Sequence, residues 1–323
     1  MLCRPAGSTE QDPAYTATAY CLLHIQMDGV LVVDKPQGLT SHDVVAVARR
    51  SLHERRIGHT GTLDPLATGV LPLACGRATR LVRFFVSSDK DYEATIRFGV
   101  STDSYDITGT ETSRSDRVPE RDAVEAALAS LRGEYLQVPP AFSAKKVAGE
   151  RAYARARRDE TVTLQAVPVR VPRADLVECS GASARIQVTC SAGFYVRTFA
   201  HSLGELVGTG ACLESLRRTR SGEFTISQAV GLERVKQSSV SVTERWISLE
   251  RLLPAMPSVR LGEEGRKRVA HGQMLGTTHL IGGGIVRNSP GAWTRLVDEE
   301  GQLVALATVD STGESLHPAV VLI

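Results

Sequence analysis

No apolar run in this 323-residue chain reaches the ~18 residues that a bilayer-spanning helix needs, which excludes a helical membrane span. Neither sign of charge dominates. Lys and Arg number 38 against 36 Asp and Glu, a formal +2, so any nucleic-acid binding must come from local basic patches. Cysteine is sparse, six in all, with no Cys-x-x-Cys pair, and the histidines complete no zinc spacing. No metal is therefore expected, and the thiols read as reduced packing residues of a cytoplasmic protein. The first 26 residues mix Pro, Ser, Thr and Gln and lack a basic stretch leading into a clean apolar core. That argues against a secretory signal. They are expected to be a disordered extension, with Met27 as an alternative start. Internal repeats and long low-complexity segments are absent as well.

Against these absences stands the run Gly58-His59-Thr60-Gly61-Thr62-Leu63-Asp64-Pro65-Leu66-Ala67-Thr68-Gly69. Pro65 disfavours helical geometry at Asp64, so the acid is expected at a turn, and the glycines let the backbone approach a bulky ligand. The run matches neither the Gly-x4-Gly-Lys-Ser/Thr phosphate loop nor the Gly-x-Gly-x-x-Gly dinucleotide fingerprint. Taken alone it fits a plain turn or a loop that aims a carboxylate into a cleft.

Around it the pattern is mixed. Val30–Val33 reads as a buried strand, and Thr40 or Ser41 can cap a helix carrying Val44, Val45, Val47 and Ala48. Further strands are expected at 70–75, 92–98, 165–178 and 184–190, with helices at 78–86, 122–131 and 195–207. No βαβ repeat runs through them, so the fold class is α+β on a mostly antiparallel mixed sheet. Pro254-Ala255-Met256-Pro257 suits a boundary, with a catalytic domain at 27–253 and a small β-rich domain at 259–323. Between Lys145 and Arg158 lie six basic residues and one acid, Glu150. A solvated face is one reading. Phosphate-backbone contact through Lys145, Lys146, Arg155 and Arg158, within a basic insertion of about 140–165, is the other. Arg217, Arg218 and Arg220 form a second small basic cluster.

As a whole string, the run from Gly58 to Leu71 resembles the catalytic motif of the bacterial tRNA pseudouridine-55 synthases, the TruB family. Other segments resemble that family in the same order: Val33-Asp34-Lys35-Pro36-Gln37-Gly38, Asp89-Lys90-Asp91-Tyr92, Thr102-Asp103-Ser104-Tyr105-Asp106, Gly193-Phe194-Tyr195-Val196-Arg197-Thr198 and Leu216-Arg217-Arg218. The resemblance implies Asp64 as nucleophile, Arg197 as its partner and Tyr92 packed on the target base. It also implies substrate contacts at His59, Tyr195, Leu216, Lys35 and Asp106. The 259–323 segment resembles, less closely, the PUA-type RNA-binding domain.

The implied reaction turns a uridine of the tRNA T-loop into its C-glycoside isomer after the base leaves the stack, with no cofactor. The expected partner is the tRNA T stem-loop, bound by a monomer. His59 would fill the vacated space, and Tyr92 is a candidate for removing the C5 proton. Two alternatives remain: a synthase acting on another RNA, and a non-catalytic RNA-binding or RNA-folding protein. A hydrolase built on Asp64 and His59 would need a second acid or a metal set, and none stands out. Asp91 departs from the pattern, since an acid beside Lys90 is expected to weaken phosphate contact there.

Overall fold

The computed structural model describes residues 27–143, 146–147, 150–151, 158, 164–237, 240–282, 289 and 291–323. The expectation for residues 1–26, and those for Lys145 and Arg155, lie outside the described residues.

Strand β1 (Gly29–Lys35) carries the Val30–Val33 run and is buried on both sheet faces. Leu31 and Val33 point into one core, and Val30 and Val32 into another. Helix α1 (Ser41–Ser51) is capped by Thr40, whose hydroxyl accepts from Asp43 N (3.1 Å) while Thr40 N donates to the Asp43 carboxylate (2.8 Å). Such a cap stabilises a helix by roughly 1 kcal/mol. There follow β2 (Ile57–His59), β3 (Thr68–Cys75), a 3₁₀ turn at Gly76–Leu81, and α2 (Val82–Val86). The 78–86 segment thus begins as 3₁₀ and becomes α-helical only at Val82. Strand β4 (Lys90–Phe98) has the expected alternation, with Ala94, Ile96 and Phe98 inward.

Helix α3 (Arg121–Ser130) leads into β5 (Gly133–Gln137). The segment 165–178 is two strands, β6 (Val167–Val171) and β7 (Arg173–Ser180), because Pro172 interrupts it. β6 pairs with β5 in a separate ribbon, whereas β7 joins the main sheet. After β8 (Ser183–Cys190) comes α4 (Val196–Leu206), closed by Gly208 at φ +70°. Further elements of this part include β9 (Ala211–Ser221), β10 (Val230–Gly231), α5 (Leu232–Gln237) and β11 (Trp246–Ser248).

The main sheet runs β7-β8-β4-β9-β3-β1-β10, with β2 also on β3 and β11 also on β1. Only β9–β3 and β1–β10 are parallel among these neighbours, so the α+β, mostly antiparallel reading describes the sheet. Helices α1, α3, α4 and α5 cover one face. The other face is covered by α2 and by the C-terminal sheet, β12 (Ser258–Arg260), β13 (Trp293–Val297), β14 (Leu303–Val309) and β15 (Leu316–Val321), which carries α6 (Glu263–Ala270). Leu303, Leu306 and Val320 of that sheet, and Leu322 just after it, share a core with Val30, Val32 and Val70. Phe84 and Trp293 meet edge-on at 4.8 Å, and Arg77 donates to Leu322 O (2.6 Å). Among the described residues no helix is long and apolar enough to cross a membrane.

Candidate active site

Asp64 heads a tight turn. Ala67 N donates to Asp64 O (3.0 Å), with Pro65 following the acid, as its fixed φ favours. The surrounding loop is pinned from several sides. Ser41 Oγ accepts from Leu63 N (2.8 Å) and donates to Leu63 O (3.1 Å), and Gly38 N donates to Pro65 O (2.8 Å). The carboxylate is therefore held on a loop with little freedom, while its side chain stays 42% exposed.

Arg197 comes from the first turn of α4 and is buried. Its Nε lies 2.9 Å from Asp64 Oδ2. Its two terminal nitrogens donate to Ser104 O (3.1 Å) and Phe142 O (2.9 Å), and one lies 3.7 Å from Asp106 Oδ2. Gln137 clamps the start of this helix, accepting from Tyr195 N (2.8 Å) and donating to Tyr195 O (3.1 Å). A buried guanidinium is costly unless paired and hydrogen-bonded, and here every nitrogen has a partner. Asp106 is itself buried and accepts from Ser104 Oγ (3.0 Å), Thr108 N (3.0 Å) and Thr108 Oγ1 (2.5 Å). Of the two carboxylates flanking Arg197, Asp64 is the one open to a ligand.

A cavity of about 350 Å³ opens in front of it. Asp64, Tyr92, Tyr195, Arg197 and Leu216 all line it. The structure thus brings together five of the eight expected catalytic and substrate-contacting residues. Burial pushes the Tyr92 and Tyr195 hydroxyls above their usual values, so both are neutral phenols at neutral pH.

Three residues stand elsewhere. Lys35 does not line the cavity. Its fully buried ammonium donates to Leu39 O (2.6 Å) and Pro36 O (2.9 Å), closing the turn after β1 instead of meeting a ligand. Burial lowers its pKa to about 8, against the pull of Asp64. Asp106 stands behind Arg197, not in the cavity wall: its Oδ1 is taken up by its own loop and its Oδ2 faces the guanidinium. His59, at the end of β2, is half-buried outside the lining, and its Nδ1 has no partner. Burial first, then Arg218 and His42, push its imidazole below the usual value, so it is uncharged at neutral pH.

Each arginine of the second basic cluster has a place within the protein. Arg217 pairs with Asp34 (2.8 Å), Arg220 pairs with Asp91 (2.6 Å), and Arg218 is buried. Asp91 accordingly serves a cross-strand ion pair. Of the Lys145–Arg158 segment, Lys146-Val147 pairs with Glu150-Arg151 as a short antiparallel ribbon, and Arg158 is exposed. The lining also includes Lys90, Ser143, Phe194 and Arg218, which motif reading alone did not assign to the site. For Arg218 a signal existed, since residues two apart on a strand share a face and Leu216 was already expected in the pocket.

The fold and the carboxylate–arginine pair in a cavity define an RNA-modifying isomerase of the pseudouridine synthase class, as comparison with known proteins bears out. Residues 49–196 match the family model described as TruB family pseudouridylate synthase (N terminal domain), and residues 197–258 match the tRNA pseudouridylate synthase B C-terminal domain. The junction of the two matches falls inside α4, and the main sheet draws strands from both. The chain is 43% identical over 300 residues to the tRNA pseudouridine synthase B of Solibacter usitatus, covering 92% of this chain and 100% of that protein. It is 44% identical over 256 residues to the enzyme of the same name from an Arthrobacter species, covering 77% and 82%. Among solved structures, a Cbf5-Nop10-Gar1 complex contains a chain superposing with a TM-score of 0.71 at 26% identity, over 93% of this chain and 86% of that one. An H/ACA RNP bound to a substrate RNA containing 2'-deoxyuridine gives 0.70 at 25% identity, over 93% and 86%. The chain belongs to the TruB family of pseudouridylate synthases.

Proposed function

We propose that this chain isomerises the uridine at position 55, in the T-loop of tRNA, to pseudouridine, with Asp64 as the nucleophile. The observation that carries the reading is the half-open Asp64 carboxylate, paired at 2.9 Å with buried Arg197 on the wall of a 350 Å³ cavity lined by Tyr92 and Leu216. Relatives named tRNA pseudouridine synthase B at 41–44% identity support tRNA as the substrate.

In the reaction the N1–C1′ bond breaks, the base turns, and a C5–C1′ bond forms. C5 loses a proton and N1 gains one, so the change is redox-neutral and calls for no electron carrier. The uridine must leave its stack to reach the cavity, and loop RNA yields a base at lower cost than a duplex does. Tyr92 packs on the flipped ring, with Leu216 and Tyr195 completing the pocket. Arg197 holds the Asp64 oxygens in register with the sugar and base. Neutral His59 takes the space the base leaves. Lys35 and Asp106 act indirectly, one by fixing the turn after β1 and the other by bracing Arg197.

Lys145, Lys146, Arg155 and Arg158 contact the phosphates of the T stem, and the segment 259–323 acts as a PUA-like RNA-binding domain beside a catalytic domain at 27–253. The enzyme works as a cytoplasmic monomer. Incubation with unmodified tRNA followed by mapping of pseudouridine tests activity and target together. Asp64→Asn, which keeps shape but removes the nucleophile, should lose at least ~10³-fold in rate with tRNA binding retained. Comparable turnover by that variant would overturn the nucleophile assignment, and modification at another uridine would overturn the target.

A further inference from the structure

Arg218 is the most unusual side chain under the cavity floor. Only 1% of the residue is exposed, and among the described residues it forms no ion pair with a carboxylate. Three main-chain carbonyls accept from it: Nε donates to Val70 O (2.7 Å), and the two terminal nitrogens to Gly61 O (3.0 Å) and Thr62 O (3.4 Å). Gly61 and Thr62 are the third and second residues before Asp64. On β9, Arg218 stands opposite Tyr92 of β4 on one side and opposite Gly69 of β3 on the other. The Tyr92 phenol feels the guanidinium directly, through charge and hydrogen bonding that oppose the effect of burial.

Burying a cation against neutral carbonyls and a phenol, with no carboxylate, is a poor way to stabilise a sheet, since an apolar side chain of similar volume would avoid the desolvation cost. What the guanidinium offers is a flat fork with five donors in fixed directions. Here that fork reaches both ends of the Asp64 loop, because Gly61 and Thr62 precede the acid and Val70 follows it. The same group sits against the other side chain expected to face the base.

We infer that Arg218 is a positioning residue for the isomerisation: its guanidinium fixes the Asp64 loop and the Tyr92 ring relative to each other, so that carboxylate and phenol meet one uridine in a set geometry. This inference rests on the function proposed above and adds a residue that touches neither the nucleophile nor, by this account, the sugar. It explains why a strand position that alternation turns inward carries an arginine.

The test compares Arg218→Lys and Arg218→Met with the wild type and with Asp64→Asn, using unmodified tRNA and enzyme in excess. Single-turnover conversion, tRNA affinity and thermal melting are measured for each. Lysine keeps the charge but cannot span three carbonyls. Arg218→Lys should therefore slow conversion by at least ~30-fold, with affinity within about threefold of wild type and a cooperative melt. In a Tyr92→Phe background the same substitution should cost clearly less than it does in the wild type, because Arg218 acts partly through that ring. Three results would each overturn the inference: conversion by Arg218→Lys within about threefold of wild type, a loss of affinity as large as the loss of rate, or strict additivity with Tyr92→Phe. Failure of both variants to fold would also overturn it, leaving Arg218 as a residue of the fold alone. If the wild type itself makes no pseudouridine in tRNA, the proposed function fails instead. An active wild type with an inactive Asp64→Asn and a fully active Arg218→Lys condemns only this inference.

Discussion

Arg197 stands between two carboxylates, 2.9 Å from Asp64 and 3.7 Å from Asp106, and only the nearer one is open to a ligand. The buried acid braces the arginine from behind, and the arginine presents the exposed acid. The three residues come from three separate stretches of chain, so the geometry depends on the sheet and α4 meeting correctly.

Substitutions at this trio should follow an order. Arg197→Met leaves two acids without their shared cation and should lose the most activity. Arg197→Lys keeps the charge but cannot serve Asp64, Ser104 O and Phe142 O at once, and should lose ~10²-fold or more. Asp106→Asn keeps the loop's size and most of its hydrogen bonding, and should lose least. Single-turnover rates on tRNA check the order, and near-normal rates for both Arg197 variants would remove it from the site.

Gly69 has a backbone that other residues rarely adopt, with φ at +100°, and a Cβ there would lie 2.2 Å from Arg218 O. Gly69→Ala should therefore destabilise the protein by at least ~2 kcal/mol. Gly61→Ala is the contrast, because its Cβ would meet only Arg218 Nη1, at an ordinary 3.5 Å. Denaturant unfolding of the two variants should separate them clearly. Equal stabilities would mean that the β3–β9 packing adapts.

Much of this site was legible before the fold was known. The Asp64 loop, Tyr92 and Arg197 stood out as segments, and the turn at Asp64-Pro65 followed from the proline alone. Two placements could not be read from the sequence, for a physical reason. The resemblance put Lys35 at the substrate and composition marked Arg217, Arg218 and Arg220 as a basic cluster, but neither says which way a side chain faces. The partners Asp34, Asp91 and Val70 O were fixed only once strands distant in sequence had paired, whereas the Leu39 carbonyl that holds Lys35 lies four residues along the chain. The break at Pro172 is local and was available to a closer reading of the 165–178 segment.

Lys35 should leave a mark on the pH dependence of stability. Burial lowers its pKa to about 8 from 10.5. Between those values the unfolded chain holds the proton and the folded one does not, so the contribution of Lys35 to stability rises with pH across that window. Below pH 8 both states are protonated and its contribution is flat. The stability difference between wild type and Lys35→Met should therefore grow in favour of wild type from about pH 8 to 10.5. Lys90, also lowered to about 8, and Cys212, raised to about 11, titrate in both proteins and cancel in the difference. An identical difference at pH 7 and pH 10 would contradict this account.

The basic segment can be tested through salt. Replacing Lys145, Lys146, Arg155 and Arg158 together by alanine should weaken tRNA binding and flatten its salt dependence, by roughly one unit of slope for each phosphate that is no longer neutralised. Conversion at saturating enzyme should change far less. An unchanged slope would assign the segment to solvent.

The core shared by Val30, Val32 and Val70 with Leu303, Leu306, Val320 and Leu322 bears on how the molecule comes apart. β1 contributes alternate side chains to two cores at once, so neither lobe can loosen without stripping apolar cover from the strand that leads into the catalytic turn. Heat should consequently take the described lobes apart in one calorimetric transition, not two, with the van't Hoff and calorimetric enthalpies in agreement. Truncation at the Pro254–Pro257 segment would then yield an exposed sheet face and an insoluble fragment, rather than a smaller enzyme.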